Sequence, residues 1–353
     1  MRDRSQVRGA AGWVVVLAGA LALAACSQQA PQDPPTTIEP TVVTDKTAPP
    51  APEIPATWPL TGVAGEPEAR PAVAVKIENS PQARPQTGLE GADVVWEELV
   101  EGGITRFNAV YHSTIPDTVG PIRSVRPMDA GIAGPLHGLI VFSGGQPQFV
   151  QQMRDAGLQV ISHDEGAAGM YRTGDRVAPH NVYGTMGDFL AQADAERTSP
   201  PPAQFTFALR PELATAVRSG SPASTIVTAF PSSRPSWAWS ADAGRWLRSE
   251  GDSAAVSAAG EQLSAANVVV LRVQVQDTGT LDPGGNPVPE TVMTGQGEGL
   301  VAAGGQTVAV TWSKEDTASP LRLTDADGND VQLVPGNTWV ELVPVSGGSV
   351  EVS

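Results

Sequence analysis

The segment His137-Gly-Leu-Ile-Val-Phe-Ser-Gly-Gly-Gln-Pro147 sets the expected fold of the first half of the chain. Residues 137–142 form a short apolar run, which is typical of a buried strand. Gly144-Gly-Gln-Pro147 then indicates a turn into a helix, because proline is tolerated in the first helical turn. We expect this helix to run to Ala156, with Gly157 capping its end. A strand followed directly by a helix indicates an α/β arrangement.

Further strands and a helix are predicted on both sides of this segment. Residues 73–77 form an apolar run that ends at Asn79-Ser-Pro81, which predicts a strand and then a turn. Residues 92–101 and 105–112 predict two strands of a hairpin, with Gly102-Gly103 at the bend, and residues 184–195 predict a closing helix. We therefore expect an α/β-type N-terminal domain over residues 58–200.

Beyond the proline-rich segment Thr198-Ser-Pro-Pro-Pro202 the chain becomes β-rich. Strands are predicted at residues 237–239, 245–248, 268–275, 307–312, 321–324, 331–334 and 338–343. Turns at Asp327-Gly328 and Pro335-Gly-Asn337 separate the last of them. We expect residues 201–353 to form a compact sandwich or partly rolled sheet, so the overall class is α+β with a β-rich C-terminal domain.

The N-terminus predicts a lipoprotein signal over residues 1–25. Arg2, Arg4 and Arg8 precede an apolar stretch, which ends in Leu23-Ala-Ala-Cys26. We expect cleavage before Cys26 and attachment of diacylglyceryl, with acyl chains such as palmitate, which would anchor the protein at the extracytoplasmic face of the cell membrane. The alternative is an ordinary secretory signal with an incidental cysteine. Cys26 is the only cysteine, so disulfides within a monomer, a cysteine nucleophile and a cysteine-based metal site are excluded.

Residues 26–57 predict a disordered tether. The segment contains eight prolines, from Pro31 to Pro55, and has no apolar period. Such a composition favours a semi-stiff polyproline II conformation. The net charge of the chain is −16. Such an acidic surface repels nucleic acid, so we expect no nucleic-acid partner, and the membrane is expected to be reached through the lipid alone.

Several stretches resemble the YerB-like lipoproteins. They are Arg70-Pro-Ala-Val-Ala-Val-Lys-Ile-Glu-Asn-Ser80, Gly103-Ile-Thr-Arg-Phe107, Gly120-Pro-Ile-Arg-Ser-Val-Arg-Pro127, Tyr171-Arg172, Arg176, Pro179-His-Asn-Val-Tyr183, Asn267-Val-Val-Val270, Thr294-Gly-Gln-Gly297 and Pro335-Gly-Asn-Thr-Trp339. The resemblance covers nearly everything after the tether. It implies a two-domain lipoprotein of Gram-positive-type bacteria, and it implies no biochemical activity.

The candidate ligand-binding residues are mostly arginines in predicted loops of the first domain. Arg123 and Arg126 lie three apart between prolines, and a guanidinium offers forked donors that match a carboxylate or a phosphate. The further candidates are Arg106, Ser124, Arg172, Arg176, His180 and Asn181. In the structural alternative, each arginine pairs with a nearby carboxylate such as Glu101 or Asp129. The turn at Gly144-Gly145 could add amides for an anion, or serve only as a turn.

Catalytic and metal signals are weaker. Glu101 or His180 could act as acid or base, and Ser124 could act as a nucleophile, although no base can be assigned to it from sequence. Metal-binding histidine spacings are absent, and Asp325-Ala-Asp-Gly-Asn-Asp330 departs from the calcium-loop pattern, which favours a hairpin turn. We expect no metal and no cofactor.

These observations favour a non-catalytic binding or regulatory module of the cell envelope. Its ligand would be a peptidoglycan stem-peptide carboxylate or a wall enzyme, bound through Arg106, Arg123 and Arg126. The alternatives are a peptidoglycan hydrolase that uses Glu101 or His180, and a scaffold that acts through the C-terminal domain. The leading hypothesis requires the three arginines and the Pro179-His-Asn181 loop to lie in one cleft.

Overall fold

A computed structural model describes residues 55–353. The predicted signal, Cys26 and all but the last three residues of the predicted tether lie outside the described residues. No helix within residues 55–353 has the length and hydropathy needed to cross a bilayer.

The first half of the chain contains both strands and helices. They are β1 (Val73–Glu78), β2 (Val94–Leu99), β3 (Thr105–Tyr111), β4 (Thr118–Val119), α1 (Met128–Ala133), β5 (Leu139–Phe142), α2 (Pro147–Asp155), β6 (Gln159–Ser162), β7 (Met170–Arg172), β8 (Val182–Thr185) and α3 (Met186–Leu190).

The elements of the second half are almost all strands. They are β9 (Thr206–Phe207), α4 (Thr215–Ser219), β10 (Ser221–Pro222), β11 (Thr225–Ala229), β12 (Pro235–Ser240), β13 (Arg245–Glu250), β14 (Ser253–Ala254), β15 (Ser264–Ala265), β16 (Asn267–Val273), β17 (Val275–Leu281), β18 (Pro287–Thr291), β19 (Gly295–Ala303), β20 (Gln306–Lys314), β21 (Arg322–Thr324), β22 (Gln332–Leu333), β23 (Thr338–Pro344) and β24 (Ser349–Val352).

One large sheet runs through the molecule in the order β10-β20-β19-β16-β23-β2-β3-β1-β5-β6, with β21 paired to β20. The predicted strand–turn–helix segment is confirmed, since β5 leads through α2 to the parallel strand β6. The predicted hairpin is confirmed as well, because β2 and β3 pair antiparallel on either side of Gly102 and Gly103. Both glycines have a positive φ (73° and 75°), a conformation that residues with a Cβ rarely adopt.

The second half of the chain completes the sheet of the first half. β23 pairs in parallel with β2 on one side and with β16 on the other. Every residue of β2 and β23 is buried, so both faces of these strands are covered, and both edges are paired. The strands predicted for a separate sandwich are therefore divided between this shared sheet and a second one, apart from β22, which pairs with β9. The chain is strand-rich with an α+β arrangement.

The second sheet has the order β14-β13-β12-β11-β24, with β15 paired to β13, and it covers one face of the large sheet. Trp237 of the second sheet packs edge-on against Trp339 of the large sheet, with ring centroids 5.2 Å apart. Helices α1 and α2 cover the opposite face, where Met128, Phe149 and Met153 join Trp96 in the core. The polar residues at the end of β1 consequently lie between these layers.

Candidate functional site

The loop of residues 120–127 lies across the carboxyl ends of β1 and β5. Its backbone is held there by Arg123, whose N–H donates to the carbonyl of Lys76 (2.9 Å) and whose carbonyl accepts from Ser143 (3.0 Å). Val125 in turn donates to the carbonyl of Gly144 (3.0 Å). In open sheets the crevice beyond the carboxyl ends of parallel strands is where ligands usually bind.

Glu78, the last residue of β1, organises the outer part of this cluster. Its side chain is only 3% exposed, and its Oε1 lies 2.8 Å from Nδ1 of His180. Its Oε2 lies 3.5 Å from Nε of Arg123. One buried carboxylate therefore orients both an arginine and a histidine whose side chains remain 21% and 25% exposed.

Of the three arginines Arg106, Arg123 and Arg126, Arg123 is the accessible one with free hydrogen-bonding capacity. Its Nε is buried against Glu78, and no acceptor within residues 55–353 takes a hydrogen bond from its terminal nitrogens. A guanidinium that is fixed at one end and free at the other can donate to an incoming carboxylate or phosphate.

Arg126 and Arg106 point inward and share Glu101. Arg126 donates through Nε and Nη2 to both Glu101 oxygens, with 2.8 Å for Nη2–Oε2. Nη2 of Arg106 lies 3.6 Å from Glu101 Oε2, and its Nη1 donates to the carbonyl of Ser124 (3.1 Å). Both arginines are buried. Their guanidinium groups thus pair with Glu101. This is the alternative from the sequence analysis in which each arginine pairs with a nearby carboxylate.

These pairings shift the ionisation of the buried groups. Burial alone would raise the pKa of Glu101, but the hydrogen bonds and charge of Arg126, helped by Arg106, lower that pKa below its usual value. Burial, together with the charge of Arg126, lowers the pKa of Arg106 to about 9, and Glu101 opposes this effect. Glu101 is therefore an ionised hydrogen-bond acceptor near neutral pH.

Beneath the arginines lies a fully buried ionic group centred on Lys76. Its Nζ contacts Glu98 and lies 2.9 Å from Oδ1 of Asp129, which also accepts a hydrogen bond from Asn108 (2.8 Å). Burial lowers the pKa of Lys76 to about 8, while Asp129 acts in the opposite direction. Asp129 does not fill an arginine fork, because its second oxygen accepts the backbone N–H of Arg126 (2.7 Å).

The structure therefore brings Arg106, Arg123, Arg126 and His180 together around Glu78 and Glu101. Four basic side chains (Lys76, Arg106, Arg123, Arg126) are matched by four carboxylates (Glu78, Glu98, Glu101, Asp129). The inner arginines stabilise the loop, and Arg123 with His180 forms the accessible part. We call Arg123, His180 and Glu78 the outer site.

Sequence models of one family match most of the chain around this cluster. The N-terminal domain described as a protein of unknown function, DUF3048, matches residues 60–199, and the C-terminal domain of the same family matches residues 226–340. The chain belongs to the YerB-like family.

Two comparisons with YerB of Bacillus subtilis, one of sequence and one of structure, agree with this assignment. The protein named "Putative lipoprotein YerB" (strain 168) is 37% identical over 143 residues, which are 39% of this chain and 43% of that protein. The crystal structure of the YerB protein superposes with a TM-score of 0.70 at 24% identity, covering 84% of this chain and 99% of that one. Because its identity is only 24%, the structural match shows a shared fold and nothing more. The name "Putative lipoprotein YerB" agrees with the prediction, made from Cys26, that this chain is a lipoprotein anchored at a membrane.

The other predicted site residues of this YerB-like chain lie beside the outer site. Nη1 of Arg172 donates to Oδ1 of Asn181 (2.8 Å), which orders the loop that carries His180. Arg176 donates to the carbonyls of Gln82 (2.9 Å) and Pro85 (2.8 Å), so it ties that loop to the segment after β1. Ser124 is half-buried, and no hydrogen bond within residues 55–353 joins it to His180.

The glycine turn before α2 is not a free anion site. A Cβ at Gly144 would lie 1.9 Å from Oδ2 of Asp164, so this carboxylate already occupies the space beside the turn. Its negative charge opposes an incoming anion. The requirement for glycine here is steric, which is the simpler of the two interpretations made from the sequence.

Sequence reasoning missed Glu78 and Lys76. Both stand in an apolar strand segment, and a charged residue inside such a segment is a signal that a buried partner exists. Their partners lie far along the chain, so the pairing itself has no local pattern. Within residues 55–353, no group of three or more histidine, aspartate, glutamate or cysteine side chains is arranged to hold a metal ion.

Proposed function

We propose that this YerB-like protein is a non-catalytic binding module of the cell envelope, and that its outer site takes an anionic group. In this proposal lipid on Cys26 holds the chain at the extracytoplasmic face, and the ligand is a stem-peptide carboxylate of peptidoglycan or an acidic segment of a wall enzyme. The observation that carries the proposal is the guanidinium of Arg123, whose Nε lies 3.5 Å from Oε2 of the buried Glu78 and whose terminal nitrogens make no hydrogen bond within residues 55–353.

Charge and geometry both support this ligand class. The chain is strongly acidic, so an accessible arginine and histidine on one buried carboxylate form a local exception. When Nδ1 of His180 faces Glu78, its Nε2 is left for a ligand. The terminal nitrogens of Arg123 offer the charge-assisted donors that carboxylates prefer, and Nε2 of His180 adds a donor only in the imidazolium form.

The experiment is calorimetric titration of the full chain in detergent with purified muropeptides. We expect Arg123→Met to weaken binding about tenfold or more, which corresponds to the loss of one charge-assisted hydrogen bond. Arg154→Met is the matched control, because Arg154 is an exposed arginine paired with Glu165 on another surface.

Two further arms separate the possible ligands. A muropeptide whose terminal carboxylate has been amidated should bind more weakly than the free acid. Equal binding by wild type and Arg123→Met would exclude the outer site, and no binding of any muropeptide by wild type would exclude the stem-peptide ligand and leave the wall enzyme.

The hydrolase alternative now depends on His180. Glu101 accepts two hydrogen bonds from Arg126 and has a lowered pKa, which is unsuitable for a general acid. His180 keeps the orientation that a base needs, because a buried carboxylate faces its Nδ1. Digestion of purified peptidoglycan, followed by mass analysis of released fragments, tests this alternative, and His180→Gln should abolish any release.

A further inference from the structure

A cavity lies on the face of the large sheet opposite the outer site, at the seam with the second sheet. It has a volume of about 300 Å³, at the lower end of the range for small-ligand sites. Its walls come from the segment after β1, from β3, and from the β13–β15 region. The lining residues used below are Asn79, Arg84, Gln86, Phe107, Glu250 and Leu263.

One side of this seam cavity is apolar. Phe107 and Leu263 belong to the buried core and form its inner wall, while Ala255 and Val256 line the opposite side. Val256 is 41% exposed, which places the opening beside it. An apolar group that enters is therefore removed from water, which is favourable by roughly 25 cal/mol per Å² buried.

The polar side holds an arginine with unused donors. Arg84 donates through Nε to Oδ1 of Asn79 (3.1 Å) and through Nη2 to the carbonyl of Asn79 (2.9 Å) and Oε2 of Glu250 (3.1 Å). These bonds use three of its five N–H groups. The two N–H groups of Nη1 have no acceptor within residues 55–353, and the side chain is 30% exposed.

The charge of Arg84 is already balanced. Glu250 faces it, and the same carboxylate accepts from Arg248 (2.7 Å), behind which lie two further acidic residues, Glu97 and Glu341. An added anion would be repelled by this group of carboxylates. An uncharged carbonyl oxygen, in contrast, can accept the unused hydrogen bonds of Arg84 without any change in charge.

Gln86 supplies the complementary acceptor. Its amide nitrogen donates to the carbonyl of Glu78 (3.0 Å) and to Oδ1 of Asn79 (3.1 Å), which fixes the orientation of the side chain. No donor within residues 55–353 reaches its Oε1. A donor on Arg84 and an acceptor on Gln86 in one cavity match the C=O and N–H of an amide.

We propose that the seam cavity binds an uncharged amide that carries an apolar group, as in an apolar residue within a peptide segment. The apolar group packs on Phe107 and Leu263, and the amide is recognised by Arg84 and Gln86. This site lies on the other face of the sheet from the outer site and does not depend on it.

Saturation-transfer NMR on the full chain in detergent tests the proposal with N-acetyl-L-leucinamide as the probe. Three matched compounds define the chemistry: N-acetyl-L-leucine carries a carboxylate, isoamyl alcohol lacks the amide, and N-acetylglucosamine has the amide without the apolar group. We expect the leucinamide to bind most tightly. Preference for the acid, the alcohol or the sugar would overturn the assignment of ligand class.

Two variants place the binding in the cavity. Ala254→Leu fills the cavity from its exposed rim, and Ala259→Leu is the control, because Ala259 is exposed and is not among the lining residues. Arg84→Lys keeps the charge that faces Glu250 and removes the unused guanidinium N–H groups. We expect about tenfold weaker binding for Ala254→Leu and Arg84→Lys at unchanged melting temperature, and no change for Ala259→Leu. Unchanged affinity in Ala254→Leu would refute the site, whatever the result for Arg84→Lys.

Discussion

At the residue scale, Arg248 is a buried cation held by three carboxylates. It is fully buried and donates to Glu97 (2.6 Å), Glu250 (2.7 Å) and Glu341 (2.9 Å). Its guanidinium also lies 4.8 Å from the centroid of the Trp339 ring and 5.3 Å from that of Phe107. Both sheets and both halves of the sequence therefore meet at this one cation.

Replacement of Arg248 should be severely destabilising. Arg248→Met leaves the buried Glu97 and Glu341 without their cation and leaves Glu250 with Arg84 alone. Breaking such a group typically costs about 3–5 kcal/mol. The free energy of unfolding from urea titration measures the loss. Arg234→Met is the control, because Arg234 and Glu351 form an exposed pair, for which about 0–1 kcal/mol is expected. Equal losses in the two variants would show that burial of Arg248 contributes nothing.

The group formed by Arg248 and its three carboxylates should also make the free energy of unfolding depend on pH, through Glu97. Burial raises the pKa of Glu97 well above its usual value of 4.5; Arg248 opposes the rise, and Glu341 and Glu250 add to it. The folded state therefore holds this proton more tightly than the unfolded state. The resulting stabilisation is complete below pH 4.5 and is lost as the pH rises through the folded-state pKa.

Glu97→Gln removes this titration while it keeps the shape of the side chain. The free energy of unfolding of the wild type should fall more steeply than that of the variant as the pH rises above 4.5, measured by urea titration at a series of pH values. Lys76 titrates in both proteins and does not affect the difference. Parallel curves for the two proteins would contradict the raised pKa.

At the scale of elements, the parallel pair β1 and β5 depends on a close approach at Gly138. A Cβ at this position would lie 2.3 Å from the carbonyl oxygen of Ala72, a backbone atom that also accepts the N–H of Leu139 (3.0 Å). Gly138→Ala should therefore lower the free energy of unfolding by about 1–3 kcal/mol, as overpacking does.

Gly144→Ala is the comparison for this prediction. A Cβ at Gly144 would collide with the carboxylate of Asp164. This side chain is 69% exposed, so its carboxylate can turn into solvent. We expect a smaller loss than for Gly138→Ala in the same urea titration. A larger loss at Gly144 would mean that Asp164 is held in place by an interaction of its own.

Local elements could be predicted from sequence because their signals are local. The apolar run before Gly144, the proline that begins α2 and the paired glycines between β2 and β3 each lie within a few residues of the element that they define. Arg123 and His180 were likewise identified by their place in polar loops. Glu78, which orients both of them, was not, because its partners are distant in sequence.

The long-range pairings had no such signal. Thr338 pairs with Val94, and Glu341 lies beside Glu97, across almost the whole described chain. The alternating strands of the second half were compatible with a sheet of their own, since alternation reports that a strand has an inner face and does not report which strand is its neighbour.

At the scale of the molecule, the shared sheet should make the two halves depend on each other for stability. Residues 55–200 expressed alone would leave the β2 edge unpaired, and residues 201–353 alone would leave β23 without one neighbour. We expect each half to give poorly dispersed NMR spectra, and residues 55–353 to unfold in one cooperative transition by calorimetry. A folded, monomeric half would contradict this prediction.

The position of β23 between β2 and β16 also bears on how the chain acquires its structure. A polypeptide that emerges N-terminus first presents β2 with one open edge until residue 344 is available. Pairing between such distant segments slows folding, because the entropy of loop closure is lost before the contacts form. An open edge on a strand that is buried in the native protein meanwhile offers a template to other chains. Incomplete chains are thus the aggregation-prone species, and a chaperone that shields β2 should raise the yield of native protein.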